Sequence, residues 1–274
     1  MQVNKVWAVY FSPTGGTEKV VKTIAETMAA KFGLDVNEID LTKPENRKKT
    51  YEFGGEDLAV VGTPVYAGRI PNKILPDLEA CLAGSGTKAV PVSVFGNRSF
   101  DDGLMELKLL LEARGFVPVA AAAAVSQHAF SETLAAGRPD EKDLEELRAF
   151  AERTAEKVMA GETFEAVSVR GNNPVGPYYT PLTEEGTPAK FLKAKPLTDT
   201  ELCDHCGICA QVCPVGSIDA EDESQVPGIC IKCQACVKKC PKHAKYFTDE
   251  QFLSHVRMIE KNYSARSENS FFEN

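Results

Sequence analysis

Apolar positions along this chain follow a repeating alternation of two rhythms over its first 160 residues. Residues 5–11 (KVWAVYF) are almost continuously apolar, as expected of a strand buried on both faces of a parallel sheet. Residues 18–32 switch to helical spacing, with Val20, Val21, Ile24 and Met28 on one side. The alternation repeats: residues 35–41, 57–61, 88–95 and 116–125 predict strands, and residues 70–82, 101–114 and 140–159 predict helices. In the last helix Leu144, Leu147 and Phe150 are placed inward. Five strands alternating with helices predict an α/β fold, a doubly wound five-stranded parallel sheet of order 2-1-3-4-5. In such sheets ligands sit outside the carboxyl ends of the strands, at the switch between strands one and three.

The rhythm then breaks. Gly161, Gly171, Pro174, Gly176, Pro177, Pro181, Gly186, Pro188 and Pro196 punctuate a stretch expected to be a largely irregular linker. Tyr178 and Tyr179 are too apolar for free coil and are expected to pack between the two halves of the chain. Residues 249–263 predict an amphipathic helix with Phe252, Leu253, Val256 and Ile259 on one side. The tail is polar until Phe271 and Phe272, a docking plug or a disordered end. The expected organisation is therefore residues 1–160, a linker at 161–196, a small domain at 197–248, and a helix and tail at 249–274.

Composition changes this picture at one place. Eight of the nine cysteines lie in two C-x2-C-x2-C-x3-C-P runs. Cys203, Cys206, Cys209 and Cys213 precede Pro214, and Cys230, Cys233, Cys236 and Cys240 precede Pro241. Such short spacing lets one turn of backbone aim three thiolates at one inorganic cube, while the fourth ligates the neighbouring cluster. The expected sets are Cys203, Cys206, Cys209 and Cys240 for cluster I, and Cys230, Cys233, Cys236 and Cys213 for cluster II. A disulfide framework needs an oxidising compartment, and the first residues do not read as a secretory signal. Zinc sites usually use separated C-x2-C pairs or Cys/His mixtures. This segment resembles a bacterial two-[4Fe-4S] ferredoxin, an α+β domain. It departs at Gln234, where the first run has Gly207, and at Lys245, where the first has Ile218.

A second candidate site lies at the amino terminus. Ser12, Pro13, Thr14, Gly15, Gly16 and Thr17 join the first strand to the first helix. Loop and first-turn N–H groups point at an anion, the helix dipole favours negative charge, and the hydroxyls add donors. The loop lacks the lysine of a P-loop and the G-x-G-x-x-G of a dinucleotide fold. Taken alone it is also readable as an N-capped turn. It resembles the S/T-x-T-G-x-T signature of flavodoxins, which implies an FMN phosphate. That resemblance implies further that the loops after strands three and four clamp the flavin. They supply Pro64, Val65, Tyr66, Gly68 and Arg69, then Gly96, Asn97, Arg98, Phe100 and Asp102, with Tyr66 and Phe100 as the stacking rings. Arg69 and Arg98 depart from the cation-poor flavodoxin pattern. One of them is expected near the flavin N1/O2 edge, raising its potential, with two solvated loop arginines as the alternative.

The pieces GTPVYAGRIP, FGNRSFDDGL and AAGRPDEKDL, with the paired cysteine runs, resemble flavodoxin–ferredoxin fusions among the iron–sulfur flavoproteins of anaerobes. The resemblance implies an electron-transfer protein that relays electrons between two [4Fe-4S] clusters and an FMN, coupling one- and two-electron chemistry. The alternative is an FMN-dependent reductase of a small quinone-like acceptor, fed through the clusters. A net charge of −8 argues against duplex nucleic acid and for redox protein partners. No apolar run approaches the length of a membrane span, and a cytoplasmic location is expected. Four other residues invite chemistry. His128 follows strand five at the flavin end and reads as a flavin neighbour or a structural histidine. His205 and His243 read as surface residues, and Cys81 as a small buried side chain.

Overall fold

The computed structural model describes residues 3–161 and 164–273. Residues 1 and 2 of the expected first domain, 162 and 163 of the expected linker, and 274 of the tail lie outside them. The chain opens with β1 (Lys5–Tyr10), α1 (Gly16–Phe32), β2 (Val36–Asp40), the single turn α2 (Pro44–Arg47) and β3 (Tyr51–Phe53). β4 (Asp57–Pro64), α3 (Leu75–Cys81), β5 (Leu82–Gly84), β6 (Thr87–Phe95) and α4 (Gly103–Ala113) follow. β7 (Phe116–Pro118), β8 (Ala120–Val125) and α5 (Glu141–Met159) complete the alternating region. Beyond it come β9 (Leu197–Thr198), α6 (Ile208–Gln211), α7 (Ala235–Lys238), β10 (Lys245–Tyr246), α8 (Glu250–Asn262) and β11 (Ser270–Glu273).

β2, β1, β4, β6 and β8 lie side by side and parallel, with helices on both faces. One apolar layer packs β1, β4, β6 and β8 against α1 and α5 through Ile24, Met28, Leu147 and Phe150. The other packs Val9, Phe11 and Val61 against Ile74, Leu78, Leu107 and Leu111. Strands buried on both faces explain the continuous apolar runs. α5 starts where a capping box forms: Asp143 N–H donates to the Asp140 carboxylate and Asp140 N–H to that of Asp143.

The sheet is larger than five strands. Among the described residues it has seven. The expected fifth strand is two pieces on β6: Phe116 pairs with Thr87, but Ala122 pairs with Val92, so this strand carries one extra residue. Pro118, which has no N–H to donate, ends the first piece. The seventh strand comes from the tail. β11 runs antiparallel to β8, placing Phe271 opposite Ala122 and stacked on Phe150 at 4.9 Å between ring centroids. The tail is thus neither plug nor disordered end: it pairs the edge that β8 would otherwise leave open. The expected 70–82 helix begins only at Leu75, after a turn in which Ile74 and Leu75 N–H groups bond Pro71 O.

The Gly- and Pro-punctuated stretch is irregular but tied down. Val167 N–H donates to Pro118 O, Tyr179 N–H to Ala67 O and the Tyr178 hydroxyl to Ile70 O. α8 packs Phe252 against Phe130 at 4.8 Å, and Met258 and Ile259 against Leu134.

Candidate functional site

The loops leaving β1, β4, β6 and β8 surround one cavity of about 650 Å³. Ser12, Thr14, Gly16 and Thr17 form one wall, Pro64, Val65, Tyr66 and Gly68 a second, and Gly96 and Arg98 a third. The first wall is the start of α1. Ser12 Oγ accepts the Glu18 N–H, and Gly15, at φ 91°, turns the chain into the helix. A Cβ on Gly16 would lie 2.2 Å from Ser126 Oγ and 3.0 Å from its Cβ, so a side chain there would have to displace Ser126 of the β8 loop. Tyr66 is fixed by a tight turn in which Tyr66 and Arg69 exchange backbone hydrogen bonds of 2.8 and 3.2 Å.

Five residues expected at this site do not line the cavity. Phe100 is 1% exposed and packs between Phe95 and Phe272 with the Arg170 guanidinium over its ring, so it is a core residue rather than a stacking ring. Arg69 turns away to pair with the buried Glu106 and to donate to Gly176 O. Asp102 accepts from Asn172 and Gly176 N–H groups, and Asn97 holds the tail through Tyr263, Ala265 and Ser267. Gly15 serves the turn alone. Arg98 does line the cavity, ion-paired with Asp101 and 4.1 Å from the Tyr179 ring centroid. Tyr178 lies under Arg69 in the same way, at 4.7 Å. The two tyrosines therefore strap residues 176–179 over the β4 and β6 loops.

The remaining wall comes from parts of the chain that sequence spacing does not connect with the first. Ser126, Gln127, His128 and Phe130 enter from the β8 loop, Phe191 and Leu192 from the irregular segment before β9, His255 and Ile259 from α8. The ring of His128 fills the space above Gly96, where a Cβ would meet His128 Cδ2 at 2.4 Å. Burial first, then His255, Arg98 and Lys238, hold the His128 pKa down to about 3. Its neutral Nδ1 accepts the Phe130 N–H at 3.1 Å. Ile229, Cys230, Ile231 and Lys232 close the wall from the second cysteine run.

The two cysteine runs interleave. Cys203, Cys206 and Cys209 share one small cavity with Cys240, and Cys230, Cys233 and Cys236 share another with Cys213. Residues His205, Lys232, Gln234 and His243 adopt positive φ, the left-handed turns that bend each loop around its cavity. Gln234 and Gly207 take equivalent left-handed positions before α7 and α6. The loops differ in surroundings. Cys206 is exposed and His205 faces solvent against Glu223 at 3.2 Å, whereas Cys233 and Cys236 are buried. Burial pushes the Cys236 thiol up to about 12 and raises Cys230 and Cys233 as well, a cost that ligation of a metal by the thiolates would offset. Tyr66 and Cys230 line the same large cavity, and burial first, then Cys233 and Cys230, raise the Tyr66 pKa. Cys81 is buried and His243 exposed, both away from these cavities.

Residues 196–219 match one 4Fe-4S binding domain family and residues 227–248 a second. The C-terminal region is thus a pair of 4Fe-4S binding domains joined to a doubly wound α/β domain. Over 51 residues the chain is 45% identical to the iron-sulfur cluster-binding subunit of menaquinone reductase from Nitratidesulfovibrio vulgaris. That match covers 16% of this chain and 20% of the relative, so the chain spans about a fifth of its length. Among solved structures, a Streptococcus pneumoniae flavodoxin aligns with 56% of this chain and 99% of its own at 24% identity and a TM-score of 0.40. Flavodoxin 2 from Bacillus cereus gives 56%, 99%, 20% and 0.41. The rubredoxin oxygen:oxidoreductase of Desulfovibrio gigas gives 58%, 37%, 19% and 0.39. Scores of this size decide nothing about activity, and the fold rests on the strand order described above. Among the described residues no helix is long and apolar enough to cross a membrane.

Proposed function

We propose that the protein is an electron relay in which two [4Fe-4S] clusters and one FMN exchange electrons within a single chain. One observation carries this reading: the cavity lined by the α1 loop is also lined by Cys230 of the second cysteine run. Its volume of about 650 Å³ lies in the range of small-molecule and cofactor sites. Thr14, Gly16 and Thr17 would hold the phosphate at the α1 N-terminus, and Tyr66 would stack on the ring. The interleaved cysteines would hold cluster I by Cys203, Cys206, Cys209 and Cys240, and cluster II by Cys213, Cys230, Cys233 and Cys236. Cluster II then faces the flavin and cluster I, with its exposed Cys206, faces solvent and redox protein partners. Bound FMN supplies the exchange between one- and two-electron chemistry. The chain's residues fix the distances, exclude water and set potentials. A single chain also replaces a diffusional encounter by a fixed one.

The test is an anaerobic titration of protein reconstituted with iron, sulfide and FMN. Addition of NADH or NADPH is expected to leave the visible spectrum unchanged. Dithionite is expected to bleach clusters and flavin together, with one electron taken per cluster and two per flavin. A chain that retains no FMN, or a flavin reduced by pyridine nucleotide without the clusters, overturns the relay.

A further inference from the structure

Lysines around the cysteine runs differ in burial. Lys238 and Lys242 pair with Glu132 and Asp204, and the exposed Lys195 donates to Val226 O. Lys232 and Lys245 are buried, 8% and 3% exposed, and neither has a carboxylate within ion-pair distance among the described residues. Lys232 Nζ donates to the carbonyls of Leu192 and Cys230, and Lys245 Nζ to Thr198 Oγ1 and Glu223 O. Asp249 makes its field felt at Lys232 from farther away, but its carboxylate is engaged in capping α8. Neutral acceptors satisfy an ammonium's hydrogens without cancelling its charge, and an uncompensated buried charge is strongly unfavourable. Each lysine keeps its proton there only if something anionic beside it offsets the charge.

Their places in the duplicated loops show what that is. Lys232 stands two residues after the first cysteine of its run, where the other run has the exposed His205. Lys245 stands five residues after the last cysteine of its run, where the other has Ile218. Lys245 lines the cavity of Cys203, Cys206, Cys209 and Cys240, and its strand β10 packs on α7, which carries Cys236 of the other set. Lys232 Nζ donates to Cys230 O, and Lys232 lines the large cavity. One buried cation thus occurs at each interval of the path from the exposed cluster site to the flavin site.

We propose that Lys245 and Lys232 are the two counter-charges of the relay, Lys245 shared by the two clusters and Lys232 shared by cluster II and the flavin. The proposal rests on the relay reading. Each centre gains negative charge on reduction, so a cation held beside it in a low-dielectric interior stabilises the reduced form and raises the potential. Sharing one cation between neighbours moves both potentials in the same direction and keeps adjacent centres matched.

The test uses the reconstituted full-length protein with Lys232→Met and Lys245→Met, titrated electrochemically while EPR follows the clusters and absorbance the flavin. Lys232→Met is expected to lower the flavin and one cluster, with the other cluster unmoved. Lys245→Met is expected to lower both clusters and leave the flavin unmoved. The expected size is at least tenfold in each one-electron equilibrium, 59 mV. Lys232→Arg and Lys245→Arg are expected to restore the parent potentials, which a merely structural role does not require. Couples that stay in place in Met variants with full iron and flavin content overturn the proposal and leave the relay standing. Parent protein that binds no flavin overturns the relay and the lysine assignment together. Where a Met variant loses a cofactor, Lys232→Gln and Lys245→Gln, neutral side chains that can still hydrogen-bond, decide: lowered potentials support the proposal and unmoved ones overturn it.

Discussion

Ser267 N–H donates to Asn97 Oδ1 at 3.0 Å, joining residues 170 positions apart. Asn97, at φ 68°, sits in the loop after β6, and its amide also donates to Ala265 O at 2.8 Å and to Tyr263 O. One side chain therefore ties the tail across the loop that borders the large cavity. Asn97→Ala is expected to cost about 2 kcal/mol, since it orphans these groups and places alanine in a left-handed conformation. Limited trypsinolysis at Arg266, now held to Asp140 and Asp143, is expected to accelerate severalfold. Unchanged cleavage would show that β11 alone anchors the tail.

Arg69 and Glu106 form an ion pair with side chains 15% and 6% exposed. Arg69→Ala leaves Glu106 buried with, among the described residues, only the Ile70 N–H as a partner of its side chain, and frees Gly176 O. The expected loss is about 3 kcal/mol in denaturant unfolding. The flavin potential is expected to change little, because Arg69 points at the strap and not into the cavity. A large potential shift at unaltered stability would return Arg69 to the flavin edge.

Gly96 has no room for a methyl group: its Cβ would lie 2.8 Å from the His128 backbone Cα as well as 2.4 Å from the ring. Backbone cannot step aside as a flexible side-chain end can. Gly96→Ala is expected to destabilise by about 1–3 kcal/mol and to weaken FMN retention measurably on a desalting column. Full retention at parent stability would place the β8 loop farther from β6 than it stands here.

Neutral His128 gives a pH dependence of definite sign. Its folded pKa, about 3, lies below the 6.5 of an unhindered histidine, so the unfolded chain binds the extra proton. Its contribution is complete above about pH 6.5 and declines as pH falls from there toward 3, by about 1.4 kcal/mol per unit. Burial lowers His255 too, which steepens the fall. Urea unfolding at pH 7.5 and 5.5 is expected to show a larger loss for the parent than for His128→Gln. Equal losses would mean that the histidine is charged in the fold.

Much of this arrangement is written in local sequence. Apolar runs such as residues 5–11 specify strands whether or not their neighbours are known, because both faces must be buried. The α1 loop is legible since glycine, hydroxyls and a following helix N-terminus are contiguous. The cysteine runs are legible for the same reason, as spacing alone aims three thiolates together. Phe100, by contrast, looks like any exposed loop aromatic until Phe95 and Phe272 are seen to enclose it.

What local spacing cannot carry is any relation between distant segments. The roles of Arg69, Asp102 and Asn97 depend on Glu106, Asn172 and Ser267, partners 37 to 170 positions away. The same holds for β11, whose short run acquires a strand's identity only from the open edge of β8. It holds above all for Lys232, which in sequence is one more lysine among cysteines. Sequence determines which groups exist and how each short loop turns. Only the packing of the cysteine loops onto the strand ends decides which groups lose water together, and burial is what converts an ordinary lysine or histidine into one with electrostatic consequence.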